Sequence, residues 1–327
     1  MTTTFIRGIE NFARAADGRP VIATIGTFDG IHLGHREIFR RVRAQGERDN
    51  ARAVLITFHP HPRVVVTPQN VPLLLTTIEE KEKFVPDFFE GNVLVLEFNE
   101  HLKNMPADRF VRDILIDRIG VRKLIVGYDH AFGRNREGDI PFLQRIGAKL
   151  GFEVEVVAPV VVDGQPVSSS RIRRALQENR FGEAIRLLGH EYAIYGTVER
   201  GIGLGKKLGY PTANVAYNPR KLLPHDGVYA CYAHVGSEEF DGMMFIGRNH
   251  FNPENRITVE ANLFDFDRDI YGHEIIVYPM RHVRENRRFE SREALVAQIG
   301  KDKEVILDIV KKEKRYAAQQ GAQSQNH

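Results

Sequence analysis

The spacing of apolar residues changes near residue 190, and no single sheet or bundle accommodates both patterns. Before that point, short apolar runs at residues 21–25, 53–58, 93–98, 124–126 and 154–157 alternate with helical stretches such as 35–45 and 108–119. In those stretches apolar residues recur three or four apart, which predicts helices covering a parallel sheet. Ligands of such sheets bind beyond the carboxyl ends of the strands. After Leu188, residues 192–199, 227–235, 243–246, 257–264 and 275–280 alternate apolar and polar, with Gly, Pro and Asn between them. That period predicts an antiparallel β-barrel or strongly curved sheet. Residues 291–312 carry Leu295, Ile299, Val305/Ile306 and Ile309 at helical spacing, and Ser291 is a good helix cap, so a terminal covering helix is expected. The expected domains are 1–188 and 189–316, followed by a Gln/Ala-rich tail, 317–327, expected to be disordered.

Composition narrows the function classes. A chain of 327 residues suits two domains. Its 46 basic and 43 acidic side chains leave a net charge of +3, too small to imply nucleic acid, although local basic clusters can bind phosphates. The one cysteine, Cys231, excludes an intramolecular disulfide framework and a cysteine zinc cluster, and fits a reducing cytoplasm. It reads as a small packed strand residue, and Arg40, Arg41 and Arg43 read as a solvated helix face. No apolar run approaches the length of a membrane span, and the N-terminus lacks the apolar core of a secretory signal. A cytoplasmic enzyme acting on small molecules is expected, with oligomeric state left open.

Two stretches in the first half suit phosphate. TIGTFDGIHLGH (residues 24–35) leaves a strand, turns through glycines and enters a helix. Gly26 and Gly34 allow backbone to approach a ligand, and the helix start favours an anion. His32 and His35 stand three apart and can donate to phosphate oxygens, with Phe28 and Asp29 in the same turn. VSSSRIR (167–173) is a second basic helix start: Ser169 or Ser170 can cap it, while Arg171 and Arg173 offer forked donors for a pyrophosphate.

The second half carries a different set. GIGLGKKLG (201–209), with Gly203, Gly205 and Lys206, can wrap phosphates, but it lacks the Gly-Lys-Ser/Thr spacing of a Walker A loop. YPTAN (210–214) follows directly, and Thr212 and Asn214 place oxygens on one side of an extended segment, as Mg²⁺ requires. Glu260 shares a strand face with Thr258 and Asn262, and a carboxylate there can take a hydroxyl proton.

TIGTFDGIHLGH, TFHPHP (57–62), VGYDHAFG (126–133) and VSSSRIR, in that order, resemble the FMN adenylyltransferase module of bacterial bifunctional riboflavin kinase/FAD synthetases, a branch of the HIGH-type nucleotidyltransferases with a Rossmann-like parallel sheet. GTVERGIGLGKKLGYPTANV, LLPHDGVYACY, TVEANLFDF and IYGHEI resemble the riboflavin kinase module of the same family and cover most of residues 196–275. The resemblance implies ATP-dependent phosphorylation of riboflavin to FMN, then adenylylation of FMN to FAD with release of pyrophosphate. It assigns phosphate stabilisation to His32 and His35, the leaving pyrophosphate to Ser169, Arg171 and Arg173, Mg²⁺-ATP to Thr212 and Asn214, and the base to Glu260. Asp29 and Asp129 are expected to position substrate or metal, Arg284 and Phe289 lie where the family keeps flavin contacts, and His61 reads equally as a phosphate ligand or a turn residue.

Two departures stand out. His130 replaces an aromatic in the usual Asp-Phe-x-Phe-Gly, and IGRNHFN (246–252) has His250 and Phe251 where the family shows Pro-Thr. Two rival readings remain. One is a HIGH-type nucleotidyltransferase for another phosphorylated substrate, and the other a flavin or nucleotide sensor with an inactive kinase module.

Overall fold

The structure, a computed structural model, describes residues 2–13, 18–134, 137–248 and 257–324. Its contacts divide the chain into two compact units, Met1–Ser169 and Ser170–His327. His250 and Phe251 lie outside the described residues.

The first unit has one parallel sheet. Its strands are β1 (Thr4–Arg7), β2 (Val21–Ile25), β3 (Arg52–His59), β4 (Asn92–Glu97), β5 (Val121–Gly127) and β6 (Glu153–Val157), in the spatial order β1-β4-β3-β2-β5-β6. Every pairing is parallel. The connections hold α1 (Leu33–Arg48), α2 (Pro62–Val66), α3 (Ile78–Phe84), α4 (Glu100–Asn104), α5 (Ala107–Arg109) with a π-helical continuation over Phe110–Ile119, and α6 (Ile140–Leu150). A short hairpin, β7 (Val161–Val162) with β8 (Gln165–Pro166), ends the unit.

All five residues of β2 are buried. Val21, Ala23 and Ile25 join one apolar cluster with Val54, Ile56, Leu94 and Leu124, while Ile22 joins a second with Leu55, Val93, Val95 and Ile125. Period-2 alternation has therefore built a core on each face, which is why these strands read as continuous apolar runs. The chain runs outward from β2 through β3 to β4 and then returns to β5 on β2's other side. This reversal makes the β2 and β5 carboxyl ends a switch point, where α/β sheets bind ligands.

In the second unit α7 (Ser169–Gln177), which begins at the junction, and α8 (Phe181–Leu188) precede a closed six-stranded barrel. Its strands are β9 (Ile194–Glu199), β10 (Ala213–Tyr217), β11 (Gly227–Val235), β12 (Glu238–Arg248), β13 (Ile257–Leu263) and β14 (Glu274–Arg284), with α9 (Leu204–Lys207) between the first two. All six neighbouring pairs are antiparallel and run β10-β13-β12-β11-β14-β9, with β9 closing on β10. Register shifts between β11 and β14 at Val228/Tyr229 and Ala230/Cys231 supply local curvature. The last helix, α10 (Arg292–Ser324), packs Ile306, Ile309 and Val310 with Val228, Ala230 and Met243. Ile306, not the half-exposed Val305, is the inward residue of that doublet. The helix continues through 317–324, part of the segment expected as a tail, and residues 325–327 lie outside the described residues. Among the described residues, no helix is long and apolar enough to cross a membrane.

Phe39 links the first unit's core to its histidine turn. It is fully buried on α1 and meets Phe28 and Phe89 edge-on, with ring centroids 5.1 and 5.6 Å away. Phe39→Ala should cost about 3–5 kcal/mol through lost burial and the cavity left behind. A urea titration measures this, and a loss under about 1 kcal/mol would contradict the packing described.

Candidate active sites in the two units

The turn after β2 is held by its backbone and by a second segment beneath it. Phe28 (φ 46°) and Ile31 (φ 45°) adopt left-handed backbone, uncommon for non-glycine residues, and both side chains are buried. Asp29 is buried, and its Oδ1 accepts from the Thr76 amide at 2.9 Å. Thr76 Oγ1 accepts in turn from the Gly30 amide at 3.1 Å. Lys81 Nζ donates to the Thr27 carbonyl at 2.6 Å, and the Ser169 hydroxyl donates to the Asp29 carbonyl at 2.8 Å. A Cβ on Gly26 would lie 3.1 Å from the Phe28 ring, and one on Gly34 would lie 3.2 Å from the His32 ring.

This turn delivers both histidines to the start of α1. His32 is the N-cap, and its Nδ1 accepts from the His35 amide at 3.4 Å. The two rings stack with centroids 3.6 Å apart, and Phe28 meets His35 edge-on at 5.3 Å. His35 Nδ1 is buried without a hydrogen-bond partner. Burial, with smaller contributions from His32 and Lys81, holds the His35 pKa well below 6.5. A neutral imidazole with an unsatisfied ring nitrogen is suited to a polar ligand, since buried polar atoms ordinarily have partners.

The other residues singled out in the first half are more dispersed. Asp129 follows β5 on an exposed turn, where the His130 amide bonds the Gly127 carbonyl at 3.1 Å. The His130 ring stacks on Phe132 at 5.7 Å, so the substituted residue keeps an aromatic neighbour. His61 caps α2, its Nδ1 accepting from the Arg63 amide at 3.2 Å. Ser170 begins the second unit with Arg171 and Arg173, on α7. Arg171 Nε pairs with Glu183 on α8 at 3.2 Å, and Arg173 is half-buried. Arg40 and Arg41 pair with Glu37, and Arg43 with Glu47, as a solvated helix face would.

Barrel closure assembles the second site. Register sets Asn214 of β10 directly opposite Glu260 of β13. Thr212 Oγ1 donates to Glu260 Oε2 at 3.4 Å, and Thr258 Oγ1 to Glu260 Oε1 at 3.3 Å. Asn262 donates to the Pro211 carbonyl at 2.7 Å and so ties down the segment before Thr212. The glycine loop crosses this cluster so closely that a Cβ on Gly201 would sit 2.4 Å from Asn214 Nδ2. A Cβ on Gly205 would meet the Tyr210 carbonyl at 2.4 Å and Thr212 Oγ1 at 3.2 Å. Gly203 serves differently, through left-handed backbone (φ 69°) with open space around it, and Lys206 is exposed.

The oxygens of Thr212, Asn214 and Glu260 make a hard donor set that fits Mg²⁺. A different trio, His225, His282 and Glu285, brings its possible ligand atoms within 4.8 Å, but it is nitrogen-rich and unsuited to Mg²⁺. Arg284 is committed to α10: Nε and Nη2 bond buried Asp302 at 2.9 and 2.7 Å, and Nη1 donates to the Glu285 carbonyl. Its guanidinium carbon lies 5.7 Å from the Phe289 ring centre. Near Tyr210 and Pro211 a cavity of about 430 Å³ runs past Asn262, Phe264, Phe266 and Lys303. Cys231 is wholly buried on β11, and burial pushes its thiol pKa up, as for an inert packed residue.

Sequence reading missed Thr76, Lys81 and Asp302. Thr77 and Glu80 form a full capping box at the start of α3, a signature visible in the sequence. That signal marked a helix start but not the segment's support of the turn 50 residues upstream. The Arg284–Asp302 pair spans two elements and leaves no local spacing to read.

A family model for FAD synthetase matches residues 14–171, and one for riboflavin kinase matches residues 188–310. The chain is 37% identical to the bifunctional riboflavin kinase/FMN adenylyltransferase of Pseudomonas fluorescens, across 91% of this chain and 94% of that protein. It is 34% identical to the Escherichia coli K12 protein of the same name, across 91% and 95%. A crystal structure titled as a macrolide-efflux protein from Streptococcus pneumoniae superposes with a TM-score of 0.80 at 28% identity, across 94% of this chain and 99% of that one.

The depressed His35 pKa predicts a pH response. Above about 6.5, folded and unfolded chains both carry neutral His35. Below it only the unfolded chain gains the proton, so stability falls by up to about 1.4 kcal/mol per pH unit until the folded pKa is reached. By NMR the His35 ring should stay neutral from pH 8 to 6, and a midpoint near 6.5 would contradict the burial described.

Proposed function

The chain belongs to the bifunctional riboflavin kinase/FMN adenylyltransferase family, and from that premise we propose that its two units make FAD from riboflavin at two separate ATP-dependent sites. The observation that carries this reading is the location of the two polar constellations. The His32–His35 turn lies in the parallel-sheet unit, and the Thr212–Asn214–Glu260 cluster lies in the barrel. We take residues 1–188 and 189–316 as the corresponding functional modules, in a cytoplasmic enzyme.

In the barrel, Glu260 is the base. Its carboxylate, oriented by two threonine hydroxyls, takes the proton of the riboflavin 5′-hydroxyl as that oxygen attacks the γ-phosphorus of ATP. ADP leaves and FMN is formed. Thr212 and Asn214 hold Mg²⁺, which when bound offsets phosphate charge. Gly203, Gly205 and Lys206 line the phosphates, and Gly205 suits that role because its backbone passes close to Thr212. Arg284, braced by Asp302, and Phe289 border the flavin.

In the module of residues 1–188 an FMN phosphate oxygen attacks the α-phosphorus of a second ATP and pyrophosphate leaves. Neither histidine needs to accept a proton. His32 and His35 act as donors at the charge that develops on the phosphates, so positioning supplies most of the acceleration. Gly26, Phe28 and Gly34 shape the turn around the nucleotide, Ser169, Ser170, Arg171 and Arg173 take the pyrophosphate, and Asp129 positions substrate at the end of β5.

The two sites should fail separately. Glu260→Ala should slow FMN formation about 10²–10⁴-fold and leave FAD formation from added FMN within about twofold. His35→Ala should do the reverse, with a loss of about 10²–10³-fold, as for removal of one preorganised donor. Flavins separated by chromatography give both rates. One substitution abolishing both activities in a folded protein would overturn the two-site reading.

A further inference from the structure

The segment Leu75–Lys81 carries a density of buried polar groups that neither proposed reaction uses. Thr76, Thr77, Glu80 and Lys81 are each at most 7% exposed. Burying an ammonium is costly unless it is paired or bonded, so Lys81 must be held in place by a definite set of contacts. Its Nζ reaches the Thr27 carbonyl at 2.6 Å, and Thr57 Oγ1 approaches the same oxygen at 3.4 Å. One turn earlier, Thr76 accepts from the Gly30 amide and donates its own amide to Asp29. Three contacts from one segment thus fasten both ends of the Thr27–Gly30 turn, whose left-handed Phe28 backbone would otherwise relax. The capping box between Thr77 and Glu80 fixes the start of α3 and so fixes where Lys81 projects.

We propose that Lys81 is a positioning residue for adenylyl transfer, its buried ammonium clamping the Thr27 carbonyl so that the following turn presents His32 and His35 to the phosphates. This rests on the reading of those histidines as the adenylyltransferase donors. Asp29 faces Lys81 from the turn, and His32 and Lys81 are the charged or titratable neighbours that act on His35. Burial disfavours protonation of His35, and the charges of His32 and then Lys81 act in the same direction. Lys81 therefore holds the turn and adds a smaller contribution to the burial that keeps the turn's histidine neutral.

The test uses the full chain, with its kinase reaction as an internal control. Lys81→Met should lower kcat for FAD formation from FMN and ATP about 10²-fold, in line with a displaced donor set, with riboflavin phosphorylation within about twofold. Lys81→Arg should recover at least about tenfold of the loss, since it restores a cationic donor. Three results would overturn the proposal: an unchanged FAD-forming rate in Lys81→Met, parallel loss of both activities, or an Arg variant no better than Met. His35→Ala is measured alongside. If it retains FAD formation, the histidine reading itself fails, which is a different outcome from any of these.

Discussion

Strand β2 is buried along its whole length, with successive side chains entering two separate apolar clusters. A sheet covered on both faces has little room for unpaired charge along its strands, because desolvating an ion there is not repaid, and Lys123 of β5 is paired with Glu155 of β6 at 2.9 Å. The first unit's chemistry is thereby driven to the strand ends. β2 ends in Gly26 and the turn that starts α1, and the neighbouring β5 ends in Tyr128 and Asp129. The buried charged exceptions, Asp29, Glu80 and Lys81, are each bonded to backbone.

The barrel meets the same constraint by closure. Joining β9 to β10 and β10 to β13 removes every free edge, and it fixes a register in which Asn214 can only face Glu260. A one-residue slip of β10 against β13 would turn Asn214 to the opposite face from Glu260. The two units thus place their candidate site groups by different means, a turn braced from beneath and a strand register locked by a ring. The two proposed transfers call for such different placements, a base at a hydroxyl in one and donors around a triphosphate in the other.

Apolar runs and period-2 alternation were both easy to read in the sequence. Residues 21–25 and 227–235 coincide with β2 and β11, and the shared face of Thr258, Glu260 and Asn262 follows from strand alternation. β1 was missed because four half-exposed residues at a sheet edge carry no strong periodicity. β10 was legible only as an extended segment, since its strand character depends on partners 17 and 48 residues away in Val198 and Ala261. For the sites, the histidines, Thr212, Asn214 and Glu260 announce themselves by residue type at close spacing. Thr76, Lys81 and Asp302 do not, because each acts on a residue at least 18 positions away. The sequence grouped Arg284 with Phe289, and the structure adds the carboxylate that orients it.

Following the two labelled phosphates of ATP is the most direct test of two separate transfers in one chain. The protein would be supplied with riboflavin, Mg²⁺ and ATP labelled at either the α- or the γ-phosphorus, and the flavins separated over time. The γ-label should enter FMN first and then FAD, whereas the α-label should enter FAD alone, with one pyrophosphate released per FAD. An α-label in the monophosphate, or no label in any flavin, would contradict the account.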